Sequence, residues 1–456
     1  MQFFNMVPSF ARTTALFYLI SSLTSANAFA FTKQATKRVA PMKASIETEI
    51  APAKYLFEDV PMGPPDAILG IAQAFRACDD PRKVNVCVGA YRDSDGKPWI
   101  LPSVRAAENK MIEDSSDNKE YLPIEGDVDF VKKALQFAYG SASVDCVGVQ
   151  TLSGTGACRV GGTFLGQFAP PKTKIFIPVP TWGNHWKIMS EAGLEASPYR
   201  YYSRASNGLD FDGMMEDIEN APDGSVILLH ACAHNPTGCD PSKGQWEAIC
   251  SLMKKKKHIA FFDSAYQGFA SGDAEQDAFA LRYFVENGGN DVPVMLAQSF
   301  AKNFGLYGER CGTFSILCKD PEARERIMSQ LRLIIRPMYS NPPRHGSSIV
   351  KTVLNDEKLT AQYYEECKSM ADRILEMRTK LVKTLKEAGS THDWSHVSNQ
   401  IGMFAYTGMS EEMCDALTEK YAIFLTRDGR ISVAGLNDGN VEYVAKAIHE
   451  VTDGKS

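Results

Sequence analysis

The chain has 456 residues, a formal net charge of −6, 44% hydrophobic and 23% charged residues. This length suits one large core plus a smaller unit in a soluble globular protein, and the acidic balance gives no support to nucleic-acid or anionic-membrane binding. Eleven cysteines with no C-x-x-C pair and no zinc-finger spacing point to reduced thiols, not to a disulfide framework or a metal centre.

Residues 1–45 read as an address and are set apart from the fold. An apolar stretch from Ala15 to Leu23 is too short for a membrane span and leads to "ANA" before Phe29. The next segment carries Lys33, Lys37, Arg38 and Lys43 and no acid. A signal followed by a transit-like segment, with Phe at the junction, resembles the two-part address of plastids with several membranes. A mitochondrial presequence, ending in the matrix, is the alternative.

Beyond the address, "VNVCVGAYRD" (Val84–Asp93) reads as a short strand and loop that completes a smaller domain over residues 53–98. Residues 99–369 carry a series of apolar, β-branched runs, each ending in a polar loop with glycine. These are "CVGVQTLSGTGA", "KIFIPVPTWGNH", "SVILLHACAHNPTG", "IAFFDSAYQGF" and "VPVMLAQSFAKNFG". Helical stretches separate them, and the basic run Lys254–Lys257 suits the end of one such helix ("QWEAICSLM"). Strands of nearly continuous apolar residues alternating with helices predict an α/β fold with a mostly parallel sheet covered on both faces. From about residue 370 the pattern changes to helices ("ADRILEMRTKLVKTLKEAG", "EEMCDALTEKYA") and short strands ("GMFAYTG", "GRISVAG"). Residues 370–456 therefore read as the rest of the smaller, α+β domain.

The polar signals sit just after the C-terminal ends of the strands, where an open α/β sheet binds its ligand. Each has a plain structural use. "SGTG" before a helix serves as a turn, or its N–H groups cradle a phosphate. Asp263 caps a helix or holds a ligand, Trp182 packs or stacks, and Asn235 suits a turn. Lys302, in "SFAKNFGLYGER", is a surface amine or a nucleophile. Combined, an amine, a phosphate cradle, a carboxylate, Tyr266, Asn235 and a flat ring are the parts that bind pyridoxal 5′-phosphate. The amine forms an imine with the aldehyde, and the carboxylate keeps the ring nitrogen protonated. Ser299, three residues before the lysine, and Arg310, eight after, can reach the phosphate.

From about Leu56 onward the chain resembles the fold-type I pyridoxal-phosphate enzymes, and within them the aspartate aminotransferases. "LSGTGA", "PTWGNH", "HACAHNPTG", "FFDSAYQGFASG", "SFAKNFGLYGER", "IRPMYSNPP" and "GRISVAG" follow the family motifs in order. The resemblance implies a homodimer that exchanges amino groups between L-aspartate, L-glutamate and their 2-oxo acids, with no membrane association in the mature form. It implies that Lys302 is the Schiff-base lysine and proton shuttle and that Asp263, supported by His185, partners the ring nitrogen. Trp182 would stack on the ring, and Asn235 and Tyr266 would hold its phenolic oxygen. Ser153, Gly154, Thr155, Ser299 and Arg310 would bind the phosphate, with Tyr121 reaching the phosphate of the neighbouring subunit. Arg430, helped by Asn235 and the backbone of Gly89, would take the α-carboxylate, and Arg336 would take the distal one across the interface. Cys158 and Arg159 after the phosphate loop, and "FAYTG" (Phe404–Gly408) where a more Phe-rich version is usual, depart from the family pattern and are expected to touch no catalytic role. An aromatic or broad-specificity aminotransferase of the same fold is the nearest alternative. A lyase with the same cofactor needs no second substrate arginine, and a regulatory module without turnover would not need Lys302.

Overall fold

The computed structural model describes residues 57–63, 69–115 and 118–453, so the address proposed for residues 1–45 lies outside the described residues. In the unit Met1–Gly63, residues 57–59 form a turn. All other described elements belong to Pro64–Ser456.

Seven strands form the central sheet, in the spatial order Cys146–Leu152, Cys311–Leu317, Val294–Ser299, Ile259–Ser264, Val226–His230, Lys174–Val179 and Glu195–Arg200. Six run in one direction, and Cys311–Leu317 is antiparallel to both of its neighbours. The mostly parallel sheet expected from the apolar runs is present, and the five runs singled out in the sequence all supply strands. The reversed strand was not anticipated. It returns through the loop that carries Lys302 and inserts between the lysine strand and the edge strand. Val226–His230 and Val294–Ser299 are buried at every position, as a sheet covered on both faces requires.

Alternate side chains feed two cores. Phe261 joins Val149, Val160, Ile177 and Phe314 in one apolar cluster, while the adjacent Phe262 joins Trp246, Phe284 and Leu296 in the other. Helix Ser153–Phe168 covers the first face, and Val128–Tyr139 and Lys243–Lys256 cover the second. The last of these begins with a capping box between Ser242 and Gln245 and ends in Lys254–Lys256, with Lys257 turning left-handed at φ 55°. The basic run thus marks a helix end, where cations meet the negative end of the dipole.

The two ends of this unit meet. Val84–Asn85 pairs in parallel with Ile423–Phe424, and Phe404–Tyr406 pairs antiparallel with Arg430–Ser432. Helix Glu357–Glu387 packs on the final helix Val441–Asp453. These pairings bring the loop after Val84 and the strand of Arg430 to the C-terminal ends of the central strands.

Candidate active site

A cavity of about 380 Å³ opens at those strand ends. Its lining includes twelve of the residues singled out in the sequence: Gly89, Ser153, Gly154, Thr155, Trp182, Asn235, Asp263, Tyr266, Ser299, Lys302, Arg310 and Arg430. His185 lies one layer behind. Tyr121 and Arg336 are exposed and lie outside the lining; Arg336 Nη1 donates to Ser340 Oγ at 2.6 Å.

One wall has the groups an anion would need. No described side chain caps helix Ser153–Phe168, and its first residues Ser153, Gly154 and Thr155 line the cavity, at the positive end of the helix dipole. Ser153 takes φ 62°, and its Oγ lies 2.9 Å from Ser299 Oγ. Gly312 makes the turn possible, because a Cβ there would stand 2.4 Å from Gln298 O and 2.7 Å from Ser153 C. Arg310 adds a guanidinium on the same side.

Lys302 Nζ donates to Gly89 O at 2.7 Å and sits 5.0 Å from the centre of the Tyr307 ring. Burial, then the charges of Arg310 and Arg430, bring its pKa down to about 8. An appreciable fraction is therefore free amine near neutral pH.

Asp263, next to last in its strand, lines the cavity. Burial pushes its carboxyl up, but the hydrogen bond from His185 outweighs that, and the group is held below the ordinary carboxylate range. The histidine is itself oriented by a chain of hydrogen bonds. Asn235 N–H donates to His230 Nδ1 at 3.2 Å, which leaves the His230 proton on Nε2, 3.1 Å from Thr181 Oγ1. Thr181 then donates to His185 Nδ1 at 2.8 Å, and His185 Nε2–H donates to Asp263 at 3.1 Å. Burial, then His185, lower the pKa of His230 to about 3, so His230 is neutral and keeps its place in this chain. Trp182 stands edge-on to His185, with ring centres 5.1 Å apart.

Opposite Asp263, Arg430 is 5% exposed. Its Nη2 donates to Cys87 O at 2.9 Å and its Nη1 to Asn235 Oδ1 at 3.5 Å. Its buried Nε has no hydrogen-bond partner among the described residues. The guanidinium lines the cavity as a buried cation, which suits a carboxylate.

Four residues escaped the sequence reading although each stands inside a quoted motif: Thr181, His230, Tyr307 and Phe404. The first two were hidden because their role is to orient another side chain. Cys158 also lies closer than expected: its Sγ is within 4.8 Å of the facing His185 and Asp263 atoms. Burial keeps that thiol neutral.

The sheet, with an amine, a carboxylate and an anion cradle at the C-terminal ends of its parallel strands, defines an α/β enzyme of the fold-type I class. The family model for class I and II aminotransferases matches residues 81–448, and the chain belongs to that family. It is 50% identical over 407 residues to the mitochondrial aspartate aminotransferase of Gallus gallus, covering 88% of this chain and 95% of that protein. Among solved structures, it is similar to the cytoplasmic aspartate aminotransferase of Saccharomyces cerevisiae, with 43% identity and a TM-score of 0.86 over 88% of this chain and 99% of that one. It is also similar to an aromatic-amino-acid aminotransferase from Burkholderia pseudomallei, covalently bound to pyridoxal phosphate. There the identity is 40% and the TM-score 0.83, over 87% of this chain and 100% of that one.

Proposed function

We propose that the chain is a pyridoxal-phosphate-dependent aspartate aminotransferase. It moves an amino group reversibly between L-aspartate and 2-oxoglutarate, giving oxaloacetate and L-glutamate in two half-reactions at one site. The reading is carried by the convergence in one cavity of an uncapped helix turn, an amine of lowered basicity, an ionised carboxylate and a buried arginine.

The donor set fits the cofactor: the open helix turn with Ser153 and Ser299 suits its phosphate, and Asp263 suits its ring nitrogen. When bound, pyridoxal phosphate supplies an aldehyde for the amine and a protonated ring that takes up the electron pair left by the α-proton. Lys302 Nζ carries that proton. Asp263 holds the proton of the ring nitrogen, and the chain through His185, Thr181 and His230 fixes the direction of its hydrogen bond. Arg430 binds the α-carboxylate with Asn235 and the Gly89 backbone, while Trp182 covers the ring face and Tyr266 and Asn235 orient its phenolic oxygen.

Tyr121 and Arg336 complete the site of a neighbouring subunit in a homodimer, the first at the phosphate and the second at the distal carboxylate. Their exposure supports that placement: Tyr121 is 88% exposed. A broad or aromatic specificity is the second reading, favoured by the likeness to the Burkholderia enzyme. The division proposed from the sequence sets residues 53–98 and 370–456 as a smaller domain about residues 99–369; the pairing of Val84–Asn85 with Ile423–Phe424 supports it for the stretch around Val84. Helix Glu357–Glu387 runs across the boundary near residue 370.

For the address, the composition of residues 1–45 supports the plastid, while the Gallus relative, named mitochondrial, supports the matrix alternative. A fusion of residues 1–45 to a fluorescent protein should accumulate in the plastid, and Phe29→Ala should stall it outside. Co-localisation with a mitochondrial dye decides for the alternative.

The test of the activity is spectroscopic. The purified holoenzyme should absorb in the visible, lose that band on adding aspartate and regain it with 2-oxoglutarate. Lys302→Ala should bind cofactor yet turn over negligibly, and normal turnover in that variant refutes the assignment.

A further inference from the structure

Arg378, in helix Glu357–Glu387, is 1% exposed. No described carboxylate forms a salt bridge with it. Its guanidinium instead donates to three carbonyls of one stretch: Val397 at 3.0 Å, Gly402 at 2.8 Å, and Phe404 through a shorter contact. A buried cation without an anion is costly, and burial lowers its pKa to about 9. The three carbonyls say what that cost secures. The Phe404 strand pairs with the Arg430 strand, but Met403, not Phe404, supplies the carbonyl to Val433 N–H at 2.9 Å. The Phe404 carbonyl therefore points away from the ladder, and Arg378 holds it from that side.

The other end of Phe404 reaches the cavity. Its ring centre lies 4.2 Å from Arg430 Cζ, and its Cζ lies 2.6 Å from where a Cβ on Gly89 would stand. The ring is wedged between the Gly89 backbone and the Arg430 guanidinium, covers one face of that guanidinium, and leaves it the Cys87 and Asn235 contacts.

We propose that Arg378 is a positioning residue for carboxylate recognition: by fixing the Phe404 carbonyl it sets the ring against Arg430 and holds that guanidinium where a substrate carboxylate meets it. The inference rests on the assignment of Arg430 to the carboxylate, and the test separates the two. Succinate, a C4 dicarboxylate with no amino group, is titrated calorimetrically into holoenzyme, and kcat and KM for aspartate are measured alongside. Arg378→Met and Phe404→Leu should each weaken succinate and raise KM by about 5- to 30-fold, the scale of a lost cation–π contact in a desolvated site. The cofactor spectrum should be unchanged and kcat should change less than KM. Arg378→Lys, which keeps the charge without the fork, should recover part of the loss. Arg430→Leu should weaken succinate more than any of these.

Wild-type succinate affinity in Arg430→Leu overturns the assignment of Arg430, and the inference with it. Weakened binding in Arg430→Leu beside wild-type affinity in folded Arg378→Met overturns the inference alone. Should Arg378→Met fail to fold, Phe404→Leu decides, and wild-type affinity there removes the wedge on which the inference depends.

Discussion

Replacing Gly89 by alanine tests the geometry of the site at a single methyl group. The new Cβ would stand 2.6 Å from Phe404 Cζ, where ordinary contact begins near 3.4 Å, so something must yield by roughly 0.8 Å. The Phe404 main chain is held by its strand partner and by Arg378. The Gly89 carbonyl accepts from Lys302. The ring is the softest element, and its open direction is the cavity. In a closed core such overpacking costs about 1–3 kcal/mol. Here the free protein relieves much of it by swinging the ring into empty space, so its melting temperature should fall only slightly. Substrate must then push the ring back, and the cost moves into binding: about 1–2 kcal/mol, or roughly 5- to 30-fold in kcat/KM for aspartate. Steady-state kinetics with thermal melts, with and without succinate, measures both parts. Phe404→Leu in the same chain should lose less than the sum of the two single changes, because the leucine makes room for the methyl. A Gly89→Ala enzyme with wild-type KM and a large loss of melting temperature would refute this reasoning.

Further outcomes follow from the same geometry. Because Lys302 titrates near 8, its amine becomes free at lower pH than an ordinary lysine, and capture of pyridoxal phosphate by cofactor-free enzyme should rise with pH to a midpoint near 8; a midpoint above 10 contradicts the environment described. Asp263→Asn should fold and bind cofactor but raise the barrier by at least ~3 kcal/mol, the scale of removing a preorganised electrostatic group, and near-wild-type rates would show that the ring nitrogen lies elsewhere. Gly312→Ala, whose Cβ meets the main chain of Ser153 and Gln298, should release cofactor on dialysis, and full retention would mean that the cradle tolerates the shift. Arg336→Leu should lower kcat/KM for aspartate about 10²- to 10³-fold while sparing phenylalanine. Mixing it with Lys302→Ala protein should restore part of the aspartate activity through hybrid dimers; no recovery after proven exchange places Arg336 within its own chain.

Much of this was legible in the sequence because chemistry and local pattern coincide. Five of the seven central strands are apolar runs with a candidate functional residue at or just beyond the C-terminal end, so Asp263, Asn235 and Lys302 could be placed from position alone. The capping box at Ser242 and the basic end at Lys254–Lys257 are local too. What escaped is non-local. Cys311–Leu317 has the composition of any buried strand, and its reversal is decided by the loop before it and by two partner strands. His230 gave no sign of its role, because that role depends on Thr181, which lies in another loop. Arg378 looks like any helical arginine until the carbonyls it holds are known, and the "FAYTG" stretch, expected to touch no catalytic role, brings Phe404 to the cavity beside Arg430.

Arg430 meets the carbonyl of Cys87 across 343 residues of chain, and Lys302 meets that of Gly89 across 213. Synthesis runs from the N-terminus, so the backbone that will flank the substrate is made early and waits for partners made late. Until the strand Arg430–Ser432 has left the ribosome, the cavity lacks a wall, its carboxylate arginine and the second strand that seats Phe404. A chain stopped before Arg430, even one holding Lys302 and Asp263, lacks this wall. A chain terminated before Arg430 should therefore show no aspartate turnover, which a truncation series assayed for aspartate aminotransferase activity would test.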